Sequence, residues 1–310
     1  MLRWDKRKFV MRLLIYSAGV IGSFYAALFS IAGYSTTVYA RGKRLESLER
    51  VGLLYEHKGQ LHSAHVEVID RVANEDHFDY IFLTLKENQV HTALRELRSN
   101  CSPNIVTMVN TLEPYGKWEE ICGTGRIIPA FPGAGGSFQG DVLKAALTPK
   151  AIQPTTFGEI NGKKTKRLQE ISLLLRKAEI PYQIVKNMHD WQLCHLAMVV
   201  PIADAYYAAE HPKEAWKEKA VMLKTARQLK HNFKTLHALG IHLSPWKMNL
   251  FCFAPVWILK AGMTAVFKSS FGDVFMYQHS MNAPDEMQQL HTQFYRYIAD
   301  AAECGTGGTL

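Results

Sequence analysis

The 310-residue chain contains only five cysteines, which are widely spread and include no CxxC pair. This arrangement offers neither a disulfide framework nor the paired thiolates of a zinc site. We therefore expect no metal site and a reducing environment, which makes the protein cytoplasmic.

Long apolar runs are also missing from the sequence. The nearest candidate, residues 248–259, has twelve residues and is interrupted by Asn249 and Pro255. A helix that crosses a bilayer needs roughly 20 predominantly apolar residues. The sequence therefore predicts no membrane segment, and a buried or interfacial helix at this position.

Positive charge is in excess, but the basic residues are dispersed along the sequence. The 36 lysines and arginines exceed the 28 aspartates and glutamates, for a net charge of +8. Nucleic-acid binding usually concentrates such charge on one face and adds a recognisable reading motif, and the sequence has no such motif. The charge distribution favours a solvated basic surface on which a few basic side chains bind a phosphate-bearing small ligand. Nucleic-acid binding is the weakest alternative.

The first half of the chain alternates strand-like and helical segments. Strand-like segments are residues 12–16, 35–40, 66–70, 80–85, 104–110 and 126–131, and residues 19–33 and 43–50 have helical spacing. Such alternation implies a mostly parallel sheet, whereas later segments, including residues 213–239, are all helical. The sequence therefore predicts an α/β Rossmann-type parallel sheet domain over residues 11–187, followed by an all-α C-terminal domain over residues 188–303.

A glycine-containing turn follows the first strand and opens the first helix. It consists of Ser17, Ala18, Gly19, Val20, Ile21 and Gly22. A dinucleotide-binding turn usually has three glycines, and its helix N-terminus receives the pyrophosphate. Ser17 stands where the first glycine is usual, and a small residue can substitute there if its φ is not positive. The context predicts a dinucleotide site.

The second strand lacks the terminal acid that binds the ribose 2′-hydroxyl of NAD. It ends instead at Arg41, which is followed by Lys43 and Arg44. A guanidinium pairs with a 2′-phosphate, whereas an acid would repel it. The sequence therefore favours NADP(H) as the cofactor.

Several segments in order resemble the ketopantoate reductase (2-dehydropantoate 2-reductase) family from residue 11 onward. They include "SAGVIGS", "VYARGKRLESLERVGL", "DYIFLTLKENQV", "VTMVN" and "DWQLCHLAMVVP". The resemblance implies an NADPH-dependent oxidoreductase of pantothenate biosynthesis that reduces a small-molecule carbonyl substrate, a 2-keto acid or a related compound, in the cleft between its two domains. It also implies that Arg41 and Lys86, in a stretch that includes Gln89, hold the adenosine phosphate end, and that Asn110 lies beside the nicotinamide ribose.

The chain departs from this family at the catalytic lysine and at two asparagines that follow it. Leu193, Ala197 and Pro201 occupy the corresponding positions, at four-residue steps on one helical face. An apolar face suits a larger or more apolar carbonyl compound better than ketopantoate. It also leaves open an alternative function, an NADP(H)-binding sensor or regulatory protein without reductase activity.

The missing lysine requires another proton donor, and histidine titrates near neutrality. His195 and His189 are the leading candidates, on the helix that carries Leu193. His279 and Lys86 are further candidates, and Asn110 is included in the catalytic set by its place beside the nicotinamide.

Two other segments carry structural expectations. Residues 130–140 contain Pro132 and several glycines, which indicate a loop that either approaches a ligand or connects two elements flexibly. Residues 249–263, "NLFCFAPVWILKAGM", are apolar and aromatic and indicate either a dimer contact or a wall of the substrate cleft, with a slight preference for a homodimer.

Overall fold

The computed structural model describes residues 11–306. The chain forms two compact units. The first comprises the residues up to Val109 together with Tyr115–Lys186, and the second comprises Asn110–Pro114 and the residues from Asn187 onward.

The first unit contains all of the strands in the described part of the chain and the first five helices. The strands are β1 (Arg12–Tyr16), β2 (Ser35–Tyr39), β3 (Leu53–His57), β4 (Gln60–Ala64), β5 (Glu67–Ile69), β6 (Tyr80–Leu83), β7 (Ile105–Met108), β8 (Ile127–Phe131), β9 (Ala134–Gln139), β10 (Val142–Leu147), β11 (Thr155–Phe157) and β12 (Tyr182–Ile184). The helices are α1 (Val20–Ile31), α2 (Gly42–Val51), α3 (Glu87–Glu96), α4 (Tyr115–Cys122) and α5 (Lys166–Lys177).

The larger sheet has eight strands in the order β12-β11-β8-β7-β6-β1-β2-β5. The strands from β8 to β5 are parallel, and β11 pairs antiparallel with β8. All four residues of β6 are buried, as expected for a strand with packing on both faces. The predicted parallel sheet and its strands are therefore confirmed.

Aromatic side chains of helix α1 pack against the sheet and form hydrogen bonds with it. The Phe29 ring packs on Phe82 of β6 with 5.1 Å between centroids. The buried Tyr25 hydroxyl lies 2.6 Å from Thr155 Oγ1 and accepts a hydrogen bond from the backbone N–H of Gly133 at 3.0 Å. These contacts hold the helix that begins at the glycine turn.

A second sheet of four strands has the order β4-β3-β10-β9 and corrects an expectation from the sequence. Residues 134–139, expected to be a loop, form β9, which pairs antiparallel with β10. A Cβ on Gly136 would overlap the backbone of Lys144 and Ala145 in β10. The glycine is explained by this close approach of two strands, so the segment gives no indication of a ligand.

The second unit is helical. Its helices are α6 (Met188–Ala208), α7 (Lys219–Ala238), α8 (Asn249–Phe253), α9 (Val256–Lys268), α10 (Gln278–Asn282) and α11 (Pro284–Thr306). Short 3₁₀ turns at Pro212–Lys217 and Trp246–Met248 and a π-helical turn at Gly272–Tyr277 connect them. The helix expected over residues 213–239 is divided, because Glu218 has extended backbone angles before α7.

The core of the second unit is built around α6 and α7. Leu196 and Val200 of α6 are buried together with Leu229 and Phe233 of α7. Among residues 11–306, no helix combines the length and the apolar character that a membrane crossing requires.

Candidate active site

The carboxyl ends of three neighbouring parallel strands meet at one edge of the larger sheet. Tyr16 at the end of β1 is in register with Tyr39 of β2 and with Leu83 of β6. The residues that follow these strands are therefore neighbours, and ligands of parallel α/β sheets bind at this edge.

The turn after β1 is held by the two adjacent strands. The backbone N–H of Ser17 donates to the carbonyl oxygen of Tyr39 at 3.3 Å, and Thr84 Oγ1 donates to the Ser17 carbonyl oxygen at 3.1 Å. Ser17 has a φ of 102°, in the region that favours glycine. The condition under which a small residue is expected to replace the first glycine, a φ that is not positive, is therefore not met here.

The two glycines of the turn serve different purposes. A Cβ on Gly22 would overlap the Ser17 carbonyl oxygen and would lie 2.5 Å from Thr84 Oγ1. Gly19 is exposed, and the nearest atom to a Cβ placed there would be Ser17 Oγ at 3.9 Å. Gly22 therefore allows the helix to pack against the turn, while the open side of Gly19 leaves room for a ligand to approach the backbone.

Helix α1 presents backbone N–H groups at this open side. Gly19 is its N-cap residue and has no side chain to cap the helix, and Val20 and Ile21 are its first two helical residues. The first N–H groups of a helix have no acceptor within the helix and carry partial positive charge. A diphosphate fits this end of the helix in charge and in hydrogen bonding.

Arg44 supports the turn from helix α2. Its Nε donates to the carbonyl oxygen of Ala18 at 3.2 Å, its Nη2 donates to Ser23 Oγ at 3.3 Å, and its guanidinium lies 4.4 Å from the centre of the Phe138 ring. Burial lowers the pKa of Arg44 from its ordinary value. The sequence identified Arg44 only as part of a basic run, because its contact with the turn depends on the tertiary structure.

Arg41 lies at the end of β2, as the sequence predicts, and contacts an acid that sequence reasoning missed. Its guanidinium lies 4.9 Å from the centre of the Tyr39 ring and pairs with the carboxylate of Glu96 at 3.1 Å. Glu96 is the last residue of α3, 55 positions further along the chain. No local pattern indicated this pairing.

Lys86 and Gln89 lie at the start of α3, after the end of β6. Lys86 is the N-cap residue, and its carbonyl oxygen accepts a hydrogen bond from the backbone N–H of Gln89 at 3.0 Å. Both side chains are exposed. Each is therefore accessible to a ligand from solvent.

Asn110 follows β7 and belongs to the second unit with the rest of Asn110–Pro114. The residue is 9% exposed. Its Oδ1 is buried and has no hydrogen-bond partner among the described residues. A buried amide oxygen without a donor costs free energy, so it fits a ligand that provides a hydroxyl or an N–H group.

His189 lies next to the segment that carries Asn110. Its ring makes a hydrogen bond to the backbone of Leu112 and lies 5.6 Å from the centre of the Tyr297 ring. Burial lowers the pKa of His189, and the charge of Asp190 partly offsets this effect. The second unit therefore brings His189 and the segment Asn110–Pro114 together.

His195 is enclosed on the same helix. Its ring stacks on Trp191, with 5.3 Å between centroids and 6° between the planes. Burial, and next the charge of His279, lower the pKa of His195 to about 3. The imidazole is therefore neutral near neutral pH.

The apolar face expected to meet a substrate lies in the core instead. Leu193 and Ala197 are fully buried and belong to the hydrophobic cluster of the second unit, and Pro201 is also buried. The apolar residues at the lysine and asparagine positions are explained by this packing. They form no exposed wall for a substrate.

The sequence of this region matches a known family. Residues 14–162 match the family described as Ketopantoate reductase PanE/ApbA. This stretch is therefore similar to ketopantoate reductase domains. The 2-dehydropantoate 2-reductase of Mesorhizobium japonicum is 30% identical over 138 residues, which are 44% of this chain and 38% of that protein. The sequence match to this relative thus spans less than half of either protein.

Solved structures share the fold over nearly the whole chain. The crystal structure of 2-dehydropantoate 2-reductase from Methylococcus capsulatus has a TM-score of 0.63 at 14% identity and covers 94% of this chain and 98% of its own. The ternary structure of D-mandelate dehydrogenase with NADH and anilino(oxo)acetate has a TM-score of 0.62 at 14% identity, covering 94% and 99%. The Rossmann-type α/β domain followed by a helical region is therefore confirmed.

Proposed function

We propose that this protein is an NADP(H)-dependent oxidoreductase that acts on a carbonyl substrate, a 2-keto acid or a related compound. The observation that carries the proposal is the open turn at Gly19, at the N-terminus of α1, beside Arg41 at the end of β2. A reductase domain with this turn can hold a diphosphate, and the guanidinium distinguishes a phosphorylated from an unphosphorylated ribose.

The proposed contacts assign each part of the coenzyme to a different set of residues. The N–H groups from Gly19 to Gly22 take the pyrophosphate, with the turn supported by Arg44. Arg41, Lys86 and Gln89 take the adenosine phosphate end, and the Asn110 amide oxygen takes a hydroxyl of the nicotinamide ribose. When bound, the coenzyme supplies the hydride.

His189 is the proposed proton donor in place of the family's lysine. The residue is half-buried, and its ring makes a hydrogen bond to the backbone of Leu112, two residues beyond Asn110. His195 was an equal candidate on sequence, but its ring is buried against Trp191 and burial lowers its pKa to about 3. The protein residues would thus orient the carbonyl and hold a proton at its oxygen.

One observation favours a second function. Leu193 stands at the position of the family's lysine and is fully buried, and a leucine side chain has no polar group with which to polarise a carbonyl. An NADP(H)-binding sensor or regulatory protein would retain the coenzyme site and dispense with that group. Such a protein binds NADPH and oxidises none of it in the presence of a substrate.

The deciding experiment separates binding from turnover. NADPH and NADH are titrated into the protein while nucleotide fluorescence and the melting temperature are followed. NADPH oxidation is then measured with ketopantoate, the substrate whose reduction belongs to pantothenate biosynthesis, and with bulkier 2-keto acids. Binding with turnover supports the oxidoreductase, and binding without turnover on any of them supports the sensor. No response to either coenzyme refutes both.

The exposed aromatic residues of the second unit support a homodimer. Trp246, Phe253 and Trp257 are exposed by 79%, 73% and 70%. Apolar side chains clustered at a surface commonly mark a protein contact. Light scattering after gel filtration tests this proposal, because Trp257→Lys should convert a dimer into a monomer.

The four described free cysteines, Cys101, Cys122, Cys194 and Cys252, are compatible with the proposed cytoplasmic location.

A further inference from the structure

The guanidinium of Arg41 already has a carboxylate partner. Both oxygens of Glu96 lie 3.1 Å from Arg41 Nη2. The Arg41 side chain is 59% exposed and that of Glu96 is 38% exposed. A ligand from solvent can therefore reach this ion pair.

Two tyrosines fix the position of the carboxylate. The Tyr16 hydroxyl makes a short hydrogen bond to Glu96 Oε2, and the Tyr39 hydroxyl lies 3.4 Å from the same atom. The two rings pack with 4.4 Å between centroids, and Arg41 lies over the ring of Tyr39. Burial, and next the hydrogen bond to Glu96, raise the pKa of Tyr16, so its hydroxyl keeps the proton that it donates.

We infer that Glu96 is a specificity-determining residue that competes with the coenzyme 2′-phosphate for Arg41. This inference rests on the proposed function. A phosphate that approaches Arg41 meets the negative charge of Glu96, and it must displace or share that partner. An unphosphorylated ribose brings no second charge and meets no such repulsion.

Glu96 also restores a chemical group that the end of β2 lacks. NAD sites use an acid after the second strand to accept a hydrogen bond from the ribose 2′-hydroxyl. Here α3 brings a carboxylate to the arginine that replaces that acid. The site therefore has a cation that favours the phosphorylated coenzyme and an anion that limits this preference, so that NADP(H) and NAD(H) both bind.

The ion pair is weak enough to exchange. Partly exposed pairs contribute little to stability, because solvent screens them and both side chains lose freedom. A 2′-phosphate carries more negative charge than one carboxylate and offers more acceptor oxygens. The phosphate can therefore replace Glu96 on Arg41 without loss of the fold, and the exchange lowers the apparent affinity for NADPH.

The test compares Glu96→Gln with the wild type and with Glu120→Gln. The control removes the same charge from an exposed position on α4. Binding of 2′,5′-ADP and ADP, and of NADPH and NADH, is measured by titration calorimetry, so that the readout is independent of activity. For Glu96→Gln we expect the Kd of the 2′-phosphorylated nucleotides to fall about fivefold, and the Kd of ADP and NADH to change by less than about twofold.

A second variant protects the test against a folding defect. Tyr16→Phe retains the ring and removes the hydroxyl that fixes Glu96, and it should shift binding in the same direction by a smaller factor. Equal changes for both classes of nucleotide, or the same change in Glu120→Gln, would refute the role of Glu96 while the proposed coenzyme site stands. Failure of every variant and the wild type to bind any of the four nucleotides would refute the coenzyme site itself.

Discussion

Thr84 donates a hydrogen bond to the carbonyl oxygen of Ser17 over 3.1 Å, and this bond joins the end of β6 to the turn after β1. Both atoms crowd the position where Gly22 would carry a Cβ. The packing of the turn, of α1 and of the end of β6 against one another therefore depends on Gly22.

Gly22→Ala should destabilise the protein and abolish coenzyme binding. The added methyl group overlaps the Ser17 carbonyl oxygen, and overpacking of this kind costs about 1 to 3 kcal/mol. The matched variant Gly19→Ala has room for its methyl group and should retain its stability, while the methyl group hinders approach of the diphosphate. Thermal denaturation and NADPH titration check both; equal stability losses would show that the assigned purposes of the glycines are wrong.

Ser17→Gly should stabilise the turn. A residue other than glycine with a φ of 102° is strained by about 1 to 3 kcal/mol. Glycine removes the strain but loses more conformational freedom on folding, by about 0.5 to 1 kcal/mol. The free energy of unfolding in urea should therefore rise by up to about 2.5 kcal/mol, and it should fall in Ser17→Val, whose branched side chain disfavours positive φ. A lower stability of Ser17→Gly would contradict this account.

Arg41→Ala should weaken NADPH binding much more than NADH binding. Loss of one hydrogen-bonded charge costs about 1.5 to 3 kcal/mol, which is about a 10- to 100-fold rise in Kd. The variant also leaves Glu96 facing the phosphate without its cation. The nearby exposed Lys43→Ala is the control, and fluorescence titration with both coenzymes is the measurement. A similar loss for NADH would remove the basis for NADP(H) preference.

Acid should destabilise the protein through His195. Its pKa in the folded state is about 3, against an ordinary value of 6.5, so the unfolded state binds more protons between these values. Stability should therefore be unaffected by this group above pH 6.5 and fall as the pH decreases below it, by at most about 1.4 kcal/mol per pH unit.

Urea unfolding at intervals between pH 6.5 and pH 5 measures this slope before most carboxylates titrate. His195→Phe retains a ring beside Trp191 and removes the titrating group, so its slope should be shallower. His189 also has a lowered pKa and contributes to the slope in the same direction. An unchanged slope in His195→Phe would contradict the assignment.

His189→Gln should lower kcat for carbonyl reduction by about 100-fold or more, which is typical of the loss of a general acid. The Kd of NADPH should change little, because no contact with the coenzyme is assigned to this ring. The matched variant is His195→Gln, which should affect stability more than the pH profile of kcat. If the profile of the wild type persists in His189→Gln, another group supplies the proton.

The local part of the site was predictable from the sequence. An apolar run, a turn with glycines and a helical repeat identify β1, the turn and α1, because each pattern lies within a few residues. The parallel edge then places Ser17, Arg41 and Lys86 after their strands. The hairpin of β9 and β10 was missed because its glycines are also typical of a loop, and they are explained by a partner strand that forms from later residues.

The sequence by itself determined the strands of the parallel sheet and the side chains that follow them in the first unit, since hydrophobic periodicity and turn chemistry act between near neighbours. Only the tertiary structure decided the φ of Ser17, the pairing of Glu96 with Arg41 and the burial of His195 and Leu193. Each of these depends on residues that are distant along the chain and are brought together by strand crossovers and helix packing. Charge partners, strain and desolvation are properties of that arrangement, and so the proposals for the coenzyme preference and the proton donor depend on it.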